Sequence, residues 1–150
     1  MFINITIGLI IPWLIGVYLY RKAPIMVILI APIGGLISFI LNDWGFNYFW
    51  EVTPVYKNTS LSALPYCLGL YPILACSFIY FLQKKVINDL ILMLLFTIVS
   101  TISERIAVML GKIHYTNGWS IFFTLTFYFA GFLTTFIYYR ILVNRKILPK

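Results

Sequence analysis

The densest concentration of chemistry-bearing side chains is the stretch Ser103 to Ser120, which reads S-E-R-I-A-V-M-L-G-K-I-H-Y-T-N-G-W-S. It holds a carboxyl (Glu104), a guanidinium (Arg105), the chain's one histidine (His114) and an Asn-Gly turn, in a chain where Asp, Glu, Lys and Arg make up only 10% of residues. A carboxyl in an apolar site can take or give a proton, and histidine is the side-chain type that switches charge near neutrality. Glu104 and His114, with Asp43 and Glu51 from earlier in the chain, are therefore the candidate catalytic acids and bases. Paired acid–base work would require two of these groups to meet in one cavity under different environments. The alternative reading is structural. Arg105 then snorkels to phosphates, Glu104 is held by Lys112, by His114 or by hydroxyls, and His114 is a loop residue at the surface.

Candidate binding residues are Arg105, Tyr115, Asn117, Trp119 and Tyr128. A metal site is not expected: beyond His114 only the three carboxyls Asp43, Glu51 and Glu104 are at hand, and no two have a helical ligand spacing. Cys67 and Cys76 lie nine residues apart in one apolar run. At about 100° per residue they point to opposite helix faces, so neither a disulfide nor a metal pair is expected. No Ser-His-Asp order, phosphate-cradling glycine motif or dinucleotide fingerprint is present, and no cofactor is assigned.

The elements that carry these residues follow from composition. Hydrophobic residues make up 62% of the chain and mean hydropathy is +0.97, whereas a water-facing surface carries about 25 to 35% charged residues. The fold class expected is all-α, an integral membrane helical bundle in one domain, residues 1–150. Crossing the hydrocarbon takes roughly 20 apolar residues in a helix. Five stretches meet that requirement, at about residues 2–20, 24–41, 61–82, 89–110 and 119–139. Asn42-Asp43-Trp44-Gly45 reads as the end of the second, followed by an aromatic and polar interfacial loop to Ser60. Asn88-Asp89 suits the start of the fourth helix, and Gly111 its stop.

Eight basic residues (Arg21, Lys22, Lys84, Lys85, Arg140, Arg145, Lys146 and Lys150) fall on one side of this arrangement, with Lys57 and Lys112 on the other. Positive-inside asymmetry places the carboxyl terminus in the cytoplasm and the amino terminus outside. The net charge of +7 is thereby assigned to orientation, and no nucleic-acid partner is expected.

Inside the spans, Gly8 and Gly16 around Pro12, and Gly34 with Ser38 beyond Pro32, form small-residue faces suited to close helix contact. Pro32 should kink its helix, and Pro72 should bend or interrupt the third span. Thr97, Thr101 and Glu104 form a polar stripe on the fourth helix; Thr124, Tyr128, Gly131, Thr135 and Tyr138 form another on the fifth. These are expected to hydrogen-bond the two helices together, or to line a cleft. Asn4-Ile5-Thr6 and Asn58-Thr59-Ser60 match the glycosylation sequon, which carries no meaning in a bacterial protein.

Trp50, Glu51 and Pro54 followed by Asn58-Thr59, Tyr71-Pro72, and Glu104 followed by Gly111, Tyr115, Asn117, Gly118 and Trp119 together resemble a family of small, uncharacterised integral membrane proteins of bacilli and clostridia. The resemblance covers about half the chain, chiefly residues 42–85 and 103–120. Its most specific part is the Y-x-N-G-W signature after a Glu-bearing helix. Asp43 falls at an acidic position of the pattern, although its flanking residue departs from it. The resemblance implies a multi-pass plasma-membrane protein of a Gram-positive bacterium and no particular activity. The function expected is binding of membrane lipid, a partner membrane protein or a second copy through helix faces. Alternatives are an oligomeric small-solute or ion transporter or channel, and a membrane-embedded enzyme acting on a lipid or isoprenoid at the outer leaflet.

Overall fold

The computed structural model describes residues 1–46 and 48–149; Lys150, counted above among the basic residues, lies outside them. The protein is an all-α bundle of five helices, each long and apolar enough to cross a membrane: α1 (Phe2–Lys22), α2 (Pro24–Phe46), α3 (Ser60–Gln83), α4 (Asp89–Met109) and α5 (Ile121–Asn144). The loops α2–α3 and α4–α5 meet as a short antiparallel ribbon, β1 (Trp50–Val52) with β2 (Ile113–Tyr115), in the register Trp50–Tyr115, Glu51–His114 and Val52–Ile113. Three-residue strands are too short to show alternation in sequence. The α2–α3 connection is therefore a paired lid rather than only an interfacial loop.

Two helices run further than expected. Asn42, Asp43, Trp44 and Gly45 do not end α2 but continue it to Phe46, and Gly45 is the surface on which the Trp50 indole lies, with no room for a Cβ. Helix α5 continues past Tyr139 to Asn144 and stops where Lys146 turns left-handed at φ 58°. There Lys146 N and Ile147 N bond back to Val143 O and Leu142 O, each at 2.9 Å. Helix α4 stops the same way one residue beyond Leu110. Gly111 adopts φ 66°, and Gly111 N and Lys112 N return to Val108 O and Ala107 O at 3.0 and 2.9 Å, which satisfies the otherwise orphaned carbonyls. At the other end of α4, Asn88 Oδ1 accepts from Leu90 N at 2.9 Å.

Half of the apolar stretch of α3 is enclosed by the bundle, against 17% for α5, so α3 is the central helix. Its fit against α1 depends on two prolines. Each helix carries one π-helical turn just before its proline, Thr6–Ile10 before Pro12 and Tyr66–Leu70 before Pro72, and each continues through it. A proline cannot donate to the carbonyl four residues back. The carbonyl that Pro72 deprives, Leu68 O, accepts from Trp13 Nε1 on α1 at 3.0 Å. The one that Pro12 deprives, Gly8 O, lies so close to Gly69 of α3 that a Cβ there would overlap it. Each helix thus covers the other's unsatisfied carbonyl. On the opposite side of α3, Gly34 of α2 packs against Ala75, where an added Cβ would be 2.8 Å from the Ala75 Cβ. The small-residue faces of α1 and α2 are consequently occupied within the chain. Pro32 sits inside an unbroken α2. Both cysteines are free and buried in the core.

Candidate functional site

Glu104 lies near the end of α4, two turns from the Gly111 stop that sends the chain into β2. That turn brings Tyr115 back over the end of α4, and the following Asn117-Gly118 turn starts α5. Both turn residues are left-handed, φ 49° and 75°, as asparagine and glycine tolerate, and Trp119 N closes it on Thr116 O at 3.0 Å. Asn117 Nδ2 donates to Tyr48 O at 2.5 Å, tying the turn to the α2–α3 lid. The sequence therefore folds a helix, a strand and a second helix around one carboxyl.

Three hydroxyls donate to it. Tyr115 Oη reaches Glu104 Oε1 at 2.6 Å, Thr124 Oγ1 reaches the same oxygen at 3.1 Å, and Tyr128 Oη reaches Oε2 at 2.8 Å. Tyr115 Oη and Thr124 Oγ1 are themselves 2.9 Å apart, and Trp119 Nε1 donates to Thr124 Oγ1 at 3.0 Å. Each hydroxyl owns a single proton. Two protons cannot serve all three edges of the triangle Glu104–Tyr115–Thr124, so with both aimed at Oε1 the Tyr115–Thr124 edge is a contact of two oxygens. On the far side, the Tyr128 ring lies 6.3 Å from that of Tyr71, and Tyr71 and Asn42 line the same cavity. Asn42 Nδ2 donates to Ser38 O at 2.9 Å and to Cys67 Sγ at 3.7 Å. Polar side chains of α4, α5, α3 and α2 thus face one cavity. Burial, and next the neighbouring Glu104 carboxyl, hold the Tyr115 phenol above its ordinary titration range, which keeps it a donor.

The network forms part of the wall of a cavity of about 530 Å³. Its wall is mostly apolar, with Leu74, Ala75 and Phe132 deeper in, and Trp50, Ile113 and Trp119 of the lid region over it; Ser38, Ser100, Lys112 and Thr135 also line it. Ile3 and Ile7 of α1 line one side and Val99, Ser103 and Ile106 of α4 the other, and all five are exposed. Helix α4 packs on α5, α3 and β2, whereas α1 packs on α2 and α3. The cavity therefore opens sideways, between α1 and α4, toward what would be the lipid phase. Over its lid Trp119 gathers Phe49, Trp50, Phe123 and Phe127 with ring centroids 4.7 to 5.4 Å away.

Glu104, Tyr115, Trp119 and Tyr128 are thus brought together, while the remaining candidates are not. Arg105 is exposed on the outer face of α4. His114 and Glu51 oppose one another on the ribbon, both exposed. Asp43 is exposed on α2, accepts from Ser60 Oγ at 2.6 Å, and does not line the cavity. The two carboxyls that acid–base chemistry would need in one cavity are therefore apart.

Among the described residues, helix-to-helix bonding along the polar stripes is confined to the Glu104 end. Thr101 and Thr135 turn back to carbonyls of their own helices, at 2.8 and 2.9 Å, and Thr97 Oγ1 is buried without a partner among the described residues. Sequence reasoning missed Asn42 and Ser100 as site residues; Ser100 is one turn before Glu104, a spacing that would have flagged it. It also missed Asn4, which is buried and donates from one amide nitrogen to Thr53 O and Ser62 O, each at 3.0 Å. Ser62 Oγ in turn donates to Pro54 O. These bonds fasten the lid to α1. No family model, curated protein or solved structure matches the chain.

Proposed function

We propose that this protein binds a membrane amphiphile in the cavity between its helices, admitting it from the bilayer through the gap between α1 and α4. The observation that carries the reading is the placement of Glu104: one carboxyl, its oxygens aimed at by three hydroxyls, on the wall of a mostly apolar cavity of about 530 Å³. That volume falls in the ordinary range for ligand sites, which combine apolar walls with a few placed polar groups. A polar head fits at Glu104 and an acyl or prenyl chain along Leu74, Ala75 and Phe132.

Of the two kinds of partner foreseen through the helix faces, lipid is favoured over protein, because the small-residue faces of α1 and α2 are already filled by α3. We place the protein in the plasma membrane of a Gram-positive bacterium, in line with the family resemblance. The amino terminus is outside and the basic carboxyl end in the cytoplasm, on the positive-inside asymmetry. In that orientation Glu104 and the ribbon serve the outer leaflet.

The test is photocrosslinking in nanodiscs with a single-chain amphiphile bearing a diazirine near the chain end, followed by peptide mapping. Labelling concentrated on Leu74, Ala75 and Phe132, and competed by unlabelled amphiphile, supports the reading. Labelling spread over exposed residues such as Leu14, Ile28 and Ile137, with no protection of the cavity, overturns it.

A further inference from the structure

Ser100 lies one turn before Glu104 on the same face of α4, about 6 Å along the axis at about 1.5 Å per residue. It lines the same cavity, is only 5% exposed, and its Oγ has no hydrogen-bond partner among the described residues. A buried hydroxyl left unpaired is costly, and a serine in a helix normally relieves the cost by bonding the carbonyl a turn back, as Ser103 does at 2.9 Å. Ser100 does not, so its proton is free for a guest. The two oxygens of Glu104 offer about four lone-pair sites against three hydroxyl donors, which leaves room for one donor from a ligand. The wall therefore presents an acceptor at the level of Glu104 and, one turn deeper, a hydroxyl donor, with the apolar side chains of Leu74, Ala75 and Phe132 beyond.

Building on the proposed amphiphile binding, we infer that the ligand is a single-chain glycerol ester: a free glycerol hydroxyl donates to Glu104, the ester carbonyl accepts from Ser100, and the acyl chain fills the apolar part of the cavity. A glycerol ester carries these groups in that order along its length, hydroxyl, then carbonyl, then chain. A fatty alcohol lacks the inner carbonyl, and a free fatty acid lacks the outer donor when ionised. The glycerol ester could be an acylglycerol or a lysophospholipid, which share this chemistry and differ at the remaining glycerol carbon.

The experiment is native mass spectrometry of the detergent-released full chain, titrated with a 1-monoacylglycerol, the matching 1-alkylglycerol ether, a lysophosphatidylglycerol and its ether analogue. Wild type, Ser100→Ala and Glu104→Gln are compared. One neutral hydrogen bond corresponds to a preference of about three- to tenfold. Wild type is expected to favour ester over ether by that factor, Ser100→Ala to bind both equally, and Glu104→Gln to weaken both. The tighter ester of the two head types identifies the source. Ester and ether bound equally by wild type, or a preference that survives Ser100→Ala, overturns the glycerol-ester assignment while leaving amphiphile binding intact. Absence of any bound amphiphile overturns both. Ser100→Ala removes an unsatisfied group, so its folding is expected to be unimpaired, and thermal unfolding of the empty protein checks this directly.

Discussion

Replacing Glu104 by glutamine tests the geometry of the site most directly, because it keeps the shape and changes one acceptor into a donor. Glutamine can leave its Oε1 where Tyr115 and Thr124 donate, at 2.6 and 3.1 Å in the wild type, but its Nε2 then faces the Tyr128 hydroxyl at 2.8 Å. Two donors meet there. Tyr128 must then turn away the proton it gives to Glu104 Oε2 in the wild type. One buried donor left unpaired costs about 1–3 kcal/mol, so Glu104→Gln should destabilise the fold by about that amount. Tyr128→Phe alone loses one hydrogen bond, about 0.5–1.5 kcal/mol net or more if the carboxyl is charged. The two changes should be strongly non-additive, because once Glu104→Gln is in place, Tyr128→Phe removes the conflicting donor. The double variant should then be no less stable than Glu104→Gln. Equilibrium unfolding in mixed micelles reads this, and Trp119 fluorescence is a local probe, since its Nε1 bonds Thr124 within the same network. Additive effects within about 0.5 kcal/mol, the margin for independent sites, would show that Glu104 and Tyr128 do not share the bond described and refute the reasoning.

Gly69→Ala should destabilise the bundle by about 1–3 kcal/mol, the range for overpacking, because the new methyl would overlap Gly8 O and sit 2.6 Å from Leu9 Cα, both backbone atoms; unchanged thermal unfolding would contradict the α1–α3 contact. Asn4→Ala should free the α2–α3 lid, by removing the amide that donates to Thr53 O and Ser62 O. Hydrogen exchange should accelerate at residues 50–62 and stay unchanged in α4, and uniform exchange would contradict the tie. Tyr115 provides the pH test. Its phenol is raised above the ordinary tyrosine value of 10.0, so the folded state holds the proton more tightly than the unfolded one. The stabilisation is fully present below about 10 and declines as pH rises through the folded value. Tyr115→Phe should lack that alkaline decline, and parallel losses in both proteins would contradict it.

How much of this was legible in the sequence follows from the range of the forces involved. The five spans are set by local composition: a run of apolar residues long enough to cross hydrocarbon must satisfy its backbone internally, and only a helix does so within one segment. The stops at Gly111 and Asn117-Gly118 and the cap at Asn88 were legible for the same reason, being matters of φ and of side chains adjacent in the chain. Glu104, Tyr115, Trp119 and Tyr128 are all candidates from one part of the chain, but Arg105 and His114 of the same part face outward, so sequence proximity alone did not select which of them would meet. What tertiary structure decided are the contacts between segments far apart. Asn4 read as an idle sequon until α1 met the lid, Ser100 went unnoticed until a cavity left it unpaired, and Asp43 read as a candidate acid beside Glu104 until α2 continued past it and carried it outside. Each outcome depends on which side of a helix faces which neighbour. Spacing constrains that only to a stripe, and packing of Gly69 on Gly8 and Gly34 on Ala75 is what fixes it.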